Sequence, residues 1–207
     1  MGRYSQNDED IQVIELAKAM GLESPRFLDI GAHNGVGFSN SRALYEDGWG
    51  GAVVECSPRP LTDLLRLYRN DPRVEVWGCP VSVHGEQLLM HDSDGEYLST
   101  SDPAHAEKWA EVMKSGGYQF SAYRTASVSM ATLLSHYDDG RQFDFVNIDV
   151  EGQSCHLCHE AAPLFRQRTR IVCVEKDEGH VLQLLDRMQH NGFKVAHESG
   201  ENLIFTR

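Results

Sequence analysis

The sequence predicts an open α/β fold, in which a mostly parallel sheet ends in an antiparallel hairpin. Short apolar runs alternate with amphipathic helical patterns along most of the 207 residues, as in sheets that carry helices on both faces. Most of these runs are rich in β-branched or aromatic residues, as buried parallel strands are. The last two runs are joined by a short turn at Ser199-Gly200, so they must pair antiparallel.

Five apolar runs supply the parallel part of the sheet. The predicted strands are 27–30, 52–55, 74–77, 143–149 and 171–175. The closing hairpin is predicted from two further runs, which cover 193–196 and 202–206.

Helical patterns lie between the strands. A stripe over 61–68 belongs to a helix that starts near Pro58 or Pro60. A second stripe covers 157–165, where Pro163 is expected to divide the helix into two pieces. A third covers 181–188 and ends at the C-cap signal Asn191-Gly192. A further helix, over about 10–20, precedes the first strand.

The stretch from His84 to Arg124 interrupts this alternation. It contains one helical pattern near 104–114 between turn signals. A segment of about 40 residues is too short for an independent core. We therefore expect a single domain over 1–207, with 84–124 as an insertion between the third and fourth strands.

Composition narrows the class of partner. Lys plus Arg is 19 and Asp plus Glu is 31, so the net charge is 19 − 31 = −12. An acidic chain repels phosphate backbones, so no nucleic acid is expected. No apolar run approaches the roughly 18 residues of a membrane span. Residues 1–10 lack the features of a secretory signal, and five cysteines form no disulfide framework. These features predict a cytoplasmic protein.

Acidic residues end four of the predicted strands, where open α/β sheets bind ligands. They are Asp29, Glu55, Asp149 and Glu175. The first strand also runs into a glycine-rich turn, 31–37, whose spacing differs from that of dinucleotide folds. An acid before the turn suits an ammonium group, and Glu55 is placed to accept ribose hydroxyls. Together they indicate S-adenosylmethionine, a nucleoside with a charged amino-acid tail.

Three segments resemble the FkbM-type methyltransferases. They are 27–35, 53–60 and 143–152, of which the last, ending in Asp-Val-Glu-Gly, is the most specific. The resemblance implies a Rossmann-like class I methyltransferase fold with seven strands, the last antiparallel. It also implies O-methylation of a hydroxyl on a sugar or natural product. Two departures are Cys56, where a proline is common, and Pro80, where a small residue beside the adenine is usual.

The similarity spans about 27–207, but 84–124 follows no family pattern and is a candidate acceptor-recognition segment. On this reading, the cofactor-binding residues are Asp29, Gly31, His33, Asn34, Gly35, Glu55, Ser57 and Val81. The first five would surround the methionine end, with His33 also a candidate base, and Val81 would lie beside the adenine.

The catalytic candidates are Asp149, Glu151 and His180. Asp149 can accept the acceptor's proton or orient its hydroxyl, and it can instead cap the following helix. Glu151 has a structural alternative of equal weight, and His180 follows the fifth strand. A divalent ion bridging Asp149 and Glu175 would be chemically reasonable, but no third ligand has clear spacing. We therefore predict no metal.

Other features are ambiguous in the sequence. Trp109, Tyr118 and Tyr123 are candidates to line an acceptor pocket, although plain packing explains each of them. The stretch 155–159 matches the haem-attachment pattern C-x-x-C-H, yet successive side chains of a helix diverge by about 100°. We expect it to bind neither haem nor zinc.

Two alternative functions stay open. One is N-methylation of a protein or nucleic acid, against which the motif N-P-P-[YF] is absent after the fourth strand. The other is a non-catalytic binding module on the same fold.

Overall fold

A computed structural model describes residues 3–116, 120–137, 142–166, 169–177 and 179–207. The strands are β1 (Arg26–Ile30), β2 (Gly50–Val54), β3 (Val74–Trp77), β4 (Val81–Ser82), β5 (Gln87–Asp92), β6 (Ser121–Ala126), β7 (Val128–Ser129), β8 (Phe145–Ile148), β9 (Ile171–Glu175), β10 (Lys194–Glu198) and β11 (Asn202–Thr206). The α-helices are α1 (Glu9–Ala19), α2 (Arg42–Glu46), α3 (Pro58–Tyr68), α4 (Pro103–Met113), α5 (Met130–Ser135), α6 (Ser154–Ala161) and α7 (Val181–His190).

Seven of the described strands form one sheet, in the order β10-β11-β9-β8-β1-β2-β3. The pairs among β3, β2, β1, β8 and β9 are parallel. β11 runs antiparallel to both of its neighbours. The predicted fold class, a mostly parallel sheet that ends in an antiparallel hairpin, is confirmed.

Strand boundaries depart from the predictions for local reasons. β2 begins at Gly50, two residues early, and a Cβ on Gly51 would lie 2.0 Å from the carbonyl oxygen of Phe27. Gly51 therefore allows close pairing of β2 with β1. β8 ends at Ile148, because Glu151 and Gly152 have positive φ angles and turn the chain away.

The helix after β8 is divided as the sequence predicts. α6 ends at Ala161 and continues as a 3₁₀ helix over Ala162–Arg166, which contains Pro163.

The connection between β1 and α2 differs from a plain strand-to-helix turn. His33 and Phe38 have positive φ angles, which interrupt helix geometry. α2 consequently begins only at Arg42.

Two buried layers sandwich the sheet. Side chains from α1, α2 and α3 pack on one face, whose strand residues include Phe27, Phe145, Ile171 and Ile204. Side chains from α5, α6 and α7 pack on the other, whose strand residues include Leu28, Val146, Val172 and Phe205. Each buried side chain of this size contributes roughly 1.5–3 kcal/mol relative to an exposed one. The packed sheet holds the carboxyl ends of its strands in fixed positions.

The stretch 84–124 contains most of an antiparallel pair and a helix. β5 and β6 pair from Gln87↔Ala126 to Asp92↔Ser121, and α4 lies between them in sequence. Asp102 caps α4 by accepting hydrogen bonds from the backbone N–H groups of Ala104 and His105. In the described parts of the chain, none of the helices has the length and apolarity that crossing a membrane requires.

Candidate active site

A cavity of about 480 Å³ opens at the carboxyl ends of β1, β2, β8 and β9. That volume lies within the range of small-molecule sites. Eight of the eleven predicted site residues line it, namely Asp29, Gly31, His33, Glu55, Ser57, Val81, Asp149 and Glu151. The structure thus brings residues from four separate segments of the sequence to one place.

Gly31 lies at the centre of this edge. Its φ angle is +85°, and a Cβ there would lie 1.6 Å from the carbonyl oxygen of Asp149. Only glycine combines that conformation with such close approach. The end of β1 therefore lies against the chain that leaves β8.

Asp29 is buried, at 1% exposed, and its carboxylate is engaged by other side chains. Ser41 Oγ donates to Oδ2, and Asn147 Nδ2 donates to Oδ1 at 2.8 Å. Asn40 in turn donates to Asn147 Oδ1 at 3.1 Å. Burial raises the pKa of Asp29. These hydrogen bonds connect residues 40–41 to β1 and β8, so Asp29 helps to position this part of the cavity wall.

Glu55 follows β2 and accepts three backbone hydrogen bonds. The N–H groups of Cys56 and Ser57 donate to Oε1 at 2.7 Å each, and that of His33 donates to Oε2 at 2.9 Å. Burial raises the pKa of Glu55, although these three donors act against the rise. Two loops are thereby held on one carboxylate, and one lone pair of Oε2 stays available to a ligand.

Two polar atoms on the β1–β2 side of the cavity lining are buried without a hydrogen-bond partner. They are Ser57 Oγ and His33 Nδ1. The His33 ring stacks on Tyr97 at 3.9 Å between centroids and contacts the Gly95 carbonyl through Nε2 at 3.1 Å. Burial lowers the pKa of His33. Buried polar atoms are costly when unpaired, so these two mark positions for ligand atoms.

Asn34 and Gly35 lie outside the cavity lining. Asn34 Oδ1 accepts hydrogen bonds from the N–H groups of Val36 and Gly37 at 2.9 Å each, which closes a local turn. Gly35 faces α3, where a Cβ would lie 2.7 Å from Leu64. Both residues give the loop its shape.

Three carboxyl groups converge on the opposite side of the cavity. One oxygen each of Asp149, Glu151 and Glu175 lies within 4.8 Å of the other two. Burial, followed by the charges of Glu175 and Glu151, raises the pKa of Asp149 well above its usual range. Burial and the charge of Glu151 raise the pKa of Glu175 to about 7. Ionising all three acids together is therefore unfavourable at the ends of β8 and β9.

Glu151 also holds the segment that contains α4. Its carboxylate contacts His105 Nε2 at 3.1 Å, and its carbonyl accepts a hydrogen bond from Thr100 Oγ1. Burial acts to lower the pKa of His105, but the hydrogen bond to Glu151 and the nearby acidic charges together outweigh it, so the pKa is raised. Gly152 packs against the same ring, since a Cβ added to Gly152 would lie 2.8 Å from His105 Nδ1. Glu151 thus has a structural contact in addition to its place in the carboxylate cluster.

The aromatic residues predicted to line an acceptor pocket occupy different places in the structure. Trp109 of α4 lines the cavity, and its Nε1 is buried without a partner. Tyr123 lies outside the lining and donates its hydroxyl to the Cys56 carbonyl at 2.9 Å. Tyr118 lies outside the described residues. Only Trp109, of these three predicted residues, is described at the cavity.

His180 is the N-cap residue of α7 and does not line the cavity. The loop before it turns toward α6, because Asp177 Oδ2 accepts a hydrogen bond from the Cys155 N–H at 2.6 Å. Asp177 therefore occupies the start of α6, which was the capping role considered for Asp149. In 155–159, Cys155 and Cys158 are buried and His156 is exposed. The expectation that this stretch binds neither haem nor zinc stays a prediction.

Sequence reasoning missed several residues of the lining. Tyr97 lies in a segment without a recognisable pattern, and Asn147 lies inside an apolar strand. Asn202 begins β11 directly opposite Glu175. The antiparallel hairpin, which the sequence did predict, was the signal that could have placed Asn202 at this edge.

Comparisons with known proteins agree with this geometry. The family model described as the methyltransferase FkbM domain matches residues 29–195. The chain belongs to the FkbM methyltransferase family. The predicted family and its cofactor, S-adenosylmethionine, are confirmed.

The similarities to individual proteins are weaker than the match to the family model. Proteins named 3-methyl-2-oxobutanoate hydroxymethyltransferase, from two strains of Nitratidesulfovibrio vulgaris, are 26% identical over 122 residues. The match covers 57% of this chain and 39% of theirs. WbdD has a TM-score of 0.52 at 13% identity, over 98% of this chain and 41% of its own. A protein of the NADB-Rossmann superfamily from Streptococcus agalactiae has a TM-score of 0.50 at 11% identity, over 96% and 67%. The two structures share the fold.

The residues present fit this cofactor. Glu55 Oε2 and the unpartnered Ser57 Oγ offer hydrogen bonds to a polyol such as ribose. Val81 and Leu157 supply apolar surface to the same cavity. Gly31 keeps the backbone clear of side-chain atoms where the two halves of the cavity meet.

Proposed function

We propose that this chain methylates a hydroxyl group of a sugar or natural-product small molecule. The observation that carries the proposal is the position of Asp149 and Glu175, whose carboxyl groups face the cavity next to Gly31. A hydroxyl must lose its proton as it is methylated. A carboxyl oxygen within hydrogen-bond reach can receive that proton or orient the hydroxyl.

Each half of the cavity has its own task in this proposal. S-adenosylmethionine, when bound, supplies an electrophilic methyl group on a sulfonium. Glu55 and Ser57 would bind the ribose hydroxyls, and Val81 would pack beside the adenine. Asp149 would take the proton of the acceptor hydroxyl as that oxygen accepts the methyl group from the sulfonium. Glu175 orients that hydroxyl from the neighbouring strand.

The cavity favours a small acceptor. It extends beyond the carboxyl groups to Gln6, Phe38 and Glu201, which offer an aromatic face and polar groups. Phe38 is 53% exposed, a surface on which a ring can stack. The net charge of −12 opposes a nucleic-acid acceptor.

The test is a methylation assay with the purified chain and S-adenosylmethionine. The acceptor panel contains monosaccharides, glycosides and hydroxylated natural products, with amines, peptides and RNA as separate arms. We expect S-adenosylhomocysteine only with hydroxyl compounds, and a product heavier by one methylene group on oxygen. Turnover confined to amines, peptides or RNA contradicts the proposal. Calorimetric binding of the cofactor without any turnover would favour the binding-module alternative.

A further inference from the structure

We propose that Asp149, Glu151 and Glu175 form a binding site for a small divalent cation, Mg²⁺ or Mn²⁺. Each residue offers one carboxylate oxygen, and the three oxygens lie within 4.8 Å of one another. Carboxylate oxygens are the ligands that these ions prefer. The sequence supplied two of these residues but no spacing for a third, which is why it predicted no metal.

The fold explains how three separate acids meet. β8 and β9 are parallel and Ile148 pairs with Val174, so Asp149 and Glu175 follow at the same level on neighbouring strands. Glu151 returns to them because its φ angle is +54° and Gly152 continues the turn at +85°.

Among the ion pairs given for the described residues, none joins a lysine or an arginine to these three acids. In the described part of the chain, the ion pair that involves these acids joins Glu151 to His105 at 3.1 Å. Glu175 receives one neutral donor, Ser154 Oγ, at 3.1 Å. Carboxylates this close repel one another, and a divalent cation among them would offset that repulsion.

Asn202 gives an independent indication of a ligand at this position. It is 4% exposed, lines the same cavity, and its Oδ1 has no hydrogen-bond partner. Its Nδ2 donates to Glu9 at 3.1 Å, which fixes the orientation of the amide.

Strand pairing brings this amide next to the acids. Asn202 is paired with Glu175, and the adjoining Lys176 N–H donates to the Glu201 carbonyl at 2.8 Å. The two side chains therefore share one face, with Cβ atoms about 4.5–5.5 Å apart. An unpaired buried acceptor requires a donor. Mg²⁺ keeps several of its waters when proteins bind it, and one such water would donate to Asn202 Oδ1.

The role of the ion, though not its binding, rests on the proposed function. A cation at this point would bind the acceptor hydroxyl oxygen and lower the pKa of the hydroxyl. It would also fix the direction from which that oxygen approaches the methyl group.

The experiment measures Mn²⁺ binding to the whole chain after treatment with a chelator, without S-adenosylmethionine or acceptor. Free Mn²⁺ is followed by electron paramagnetic resonance, and Mg²⁺ is added as competitor. We expect one equivalent of bound Mn²⁺ that Mg²⁺ displaces. Glu175→Gln and Glu151→Gln should each weaken binding at least about tenfold, since even supporting residues contribute 10–100-fold to metal affinity. Glu15→Gln removes the same charge from an exposed position of α1 and should bind as the unaltered chain does.

Two results would overturn the proposal: no Mn²⁺ bound at millimolar concentration, or normal binding by both glutamine variants. Circular dichroism checks the folding of each variant. If Glu175→Gln does not fold, Glu151→Gln carries the comparison, and the titration of the unaltered chain stands by itself. Methylation of a hydroxyl without any bound Mn²⁺ refutes only the metal site. Mn²⁺ binding without methylation of any hydroxyl refutes only the proposed function.

Discussion

Glu55 and Glu175 end strands of the same sheet, but their carboxyl groups have opposite surroundings. Glu55 accepts three backbone N–H groups at 2.7–2.9 Å, whereas Glu175 faces two other acids within 4.8 Å. Backbone donors compensate a buried carboxylate locally, and neighbouring acids do the reverse. The β2 side of the cavity is therefore electrostatically complete within the chain. On the β8–β9 side, the described partners of the acids are fewer, namely Ser154 for Glu175 and His105 for Glu151.

The largest expected effect is on turnover, from Asp149→Asn on the β8–β9 side. An amide keeps the shape of the side chain but cannot receive the acceptor's proton, and a general base contributes roughly 10²–10⁴-fold. Steady-state rates and calorimetry should show that loss with little change in cofactor affinity. Normal turnover would remove Asp149 from the mechanism.

Gly31→Ala should damage both sides at once, because Gly31 joins them. Its Cβ would lie 1.6 Å from the Asp149 carbonyl oxygen. We expect the free energy of unfolding in urea to fall by roughly 2–5 kcal/mol, from overpacking plus the left-handed backbone. Gly48→Ala is the matched control, since Gly48 has a φ angle of +97° and nothing within 4 Å. Equal losses of unfolding free energy in the two variants would show that the contact of Gly31 with the Asp149 carbonyl does not make the substitution more costly.

Glu55→Ala tests the β2 side through cofactor affinity. Hydrogen bonds to a charged group contribute roughly 1.5–3 kcal/mol each, so we expect calorimetric binding of S-adenosylmethionine to weaken at least tenfold. Ser57→Ala removes one hydroxyl and should have the smaller effect. A folded Glu55→Ala variant with unchanged affinity would refute the assignment of Glu55 to the ribose.

The smallest expected effect is a gain in stability. Glu175→Gln removes one of three mutually close carboxylates, and relief of that repulsion should raise the free energy of unfolding by roughly 0.5–2 kcal/mol in the absence of divalent ions. Glu55→Gln should instead lower it, because an amide N–H₂ would face backbone donors. Urea denaturation of both variants measures the contrast. A loss of stability in Glu175→Gln would mean that its neighbours compensate its charge.

The sheet and its hairpin were predictable because strand periodicity and short turns are local signals. The strand-end acids were predictable as well, since topology brings carboxyl ends to one edge. The positions of Glu151 in the cluster and of Asn202 Oδ1 could not be predicted from the sequence. The place of Glu151 in the cluster depends on a left-handed backbone angle at a non-glycine residue, which no residue preference indicates. Asn202 Oδ1 depends on the direction that Glu9 gives to its amide.

The pairing of Gln87 with Ala126 gives the segment between them a narrow base. The two ends of the segment are therefore neighbours, and the segment forms one loop that is closed at its base. Doubling the length of such a loop costs only about 0.6 kcal/mol in closure entropy. A change in the length of this segment, which contains Trp109, therefore adds little closure cost to folding. Because the segment brings Trp109 and Tyr97 to the cavity, we expect changes in its length to alter the cavity wall more than the sheet.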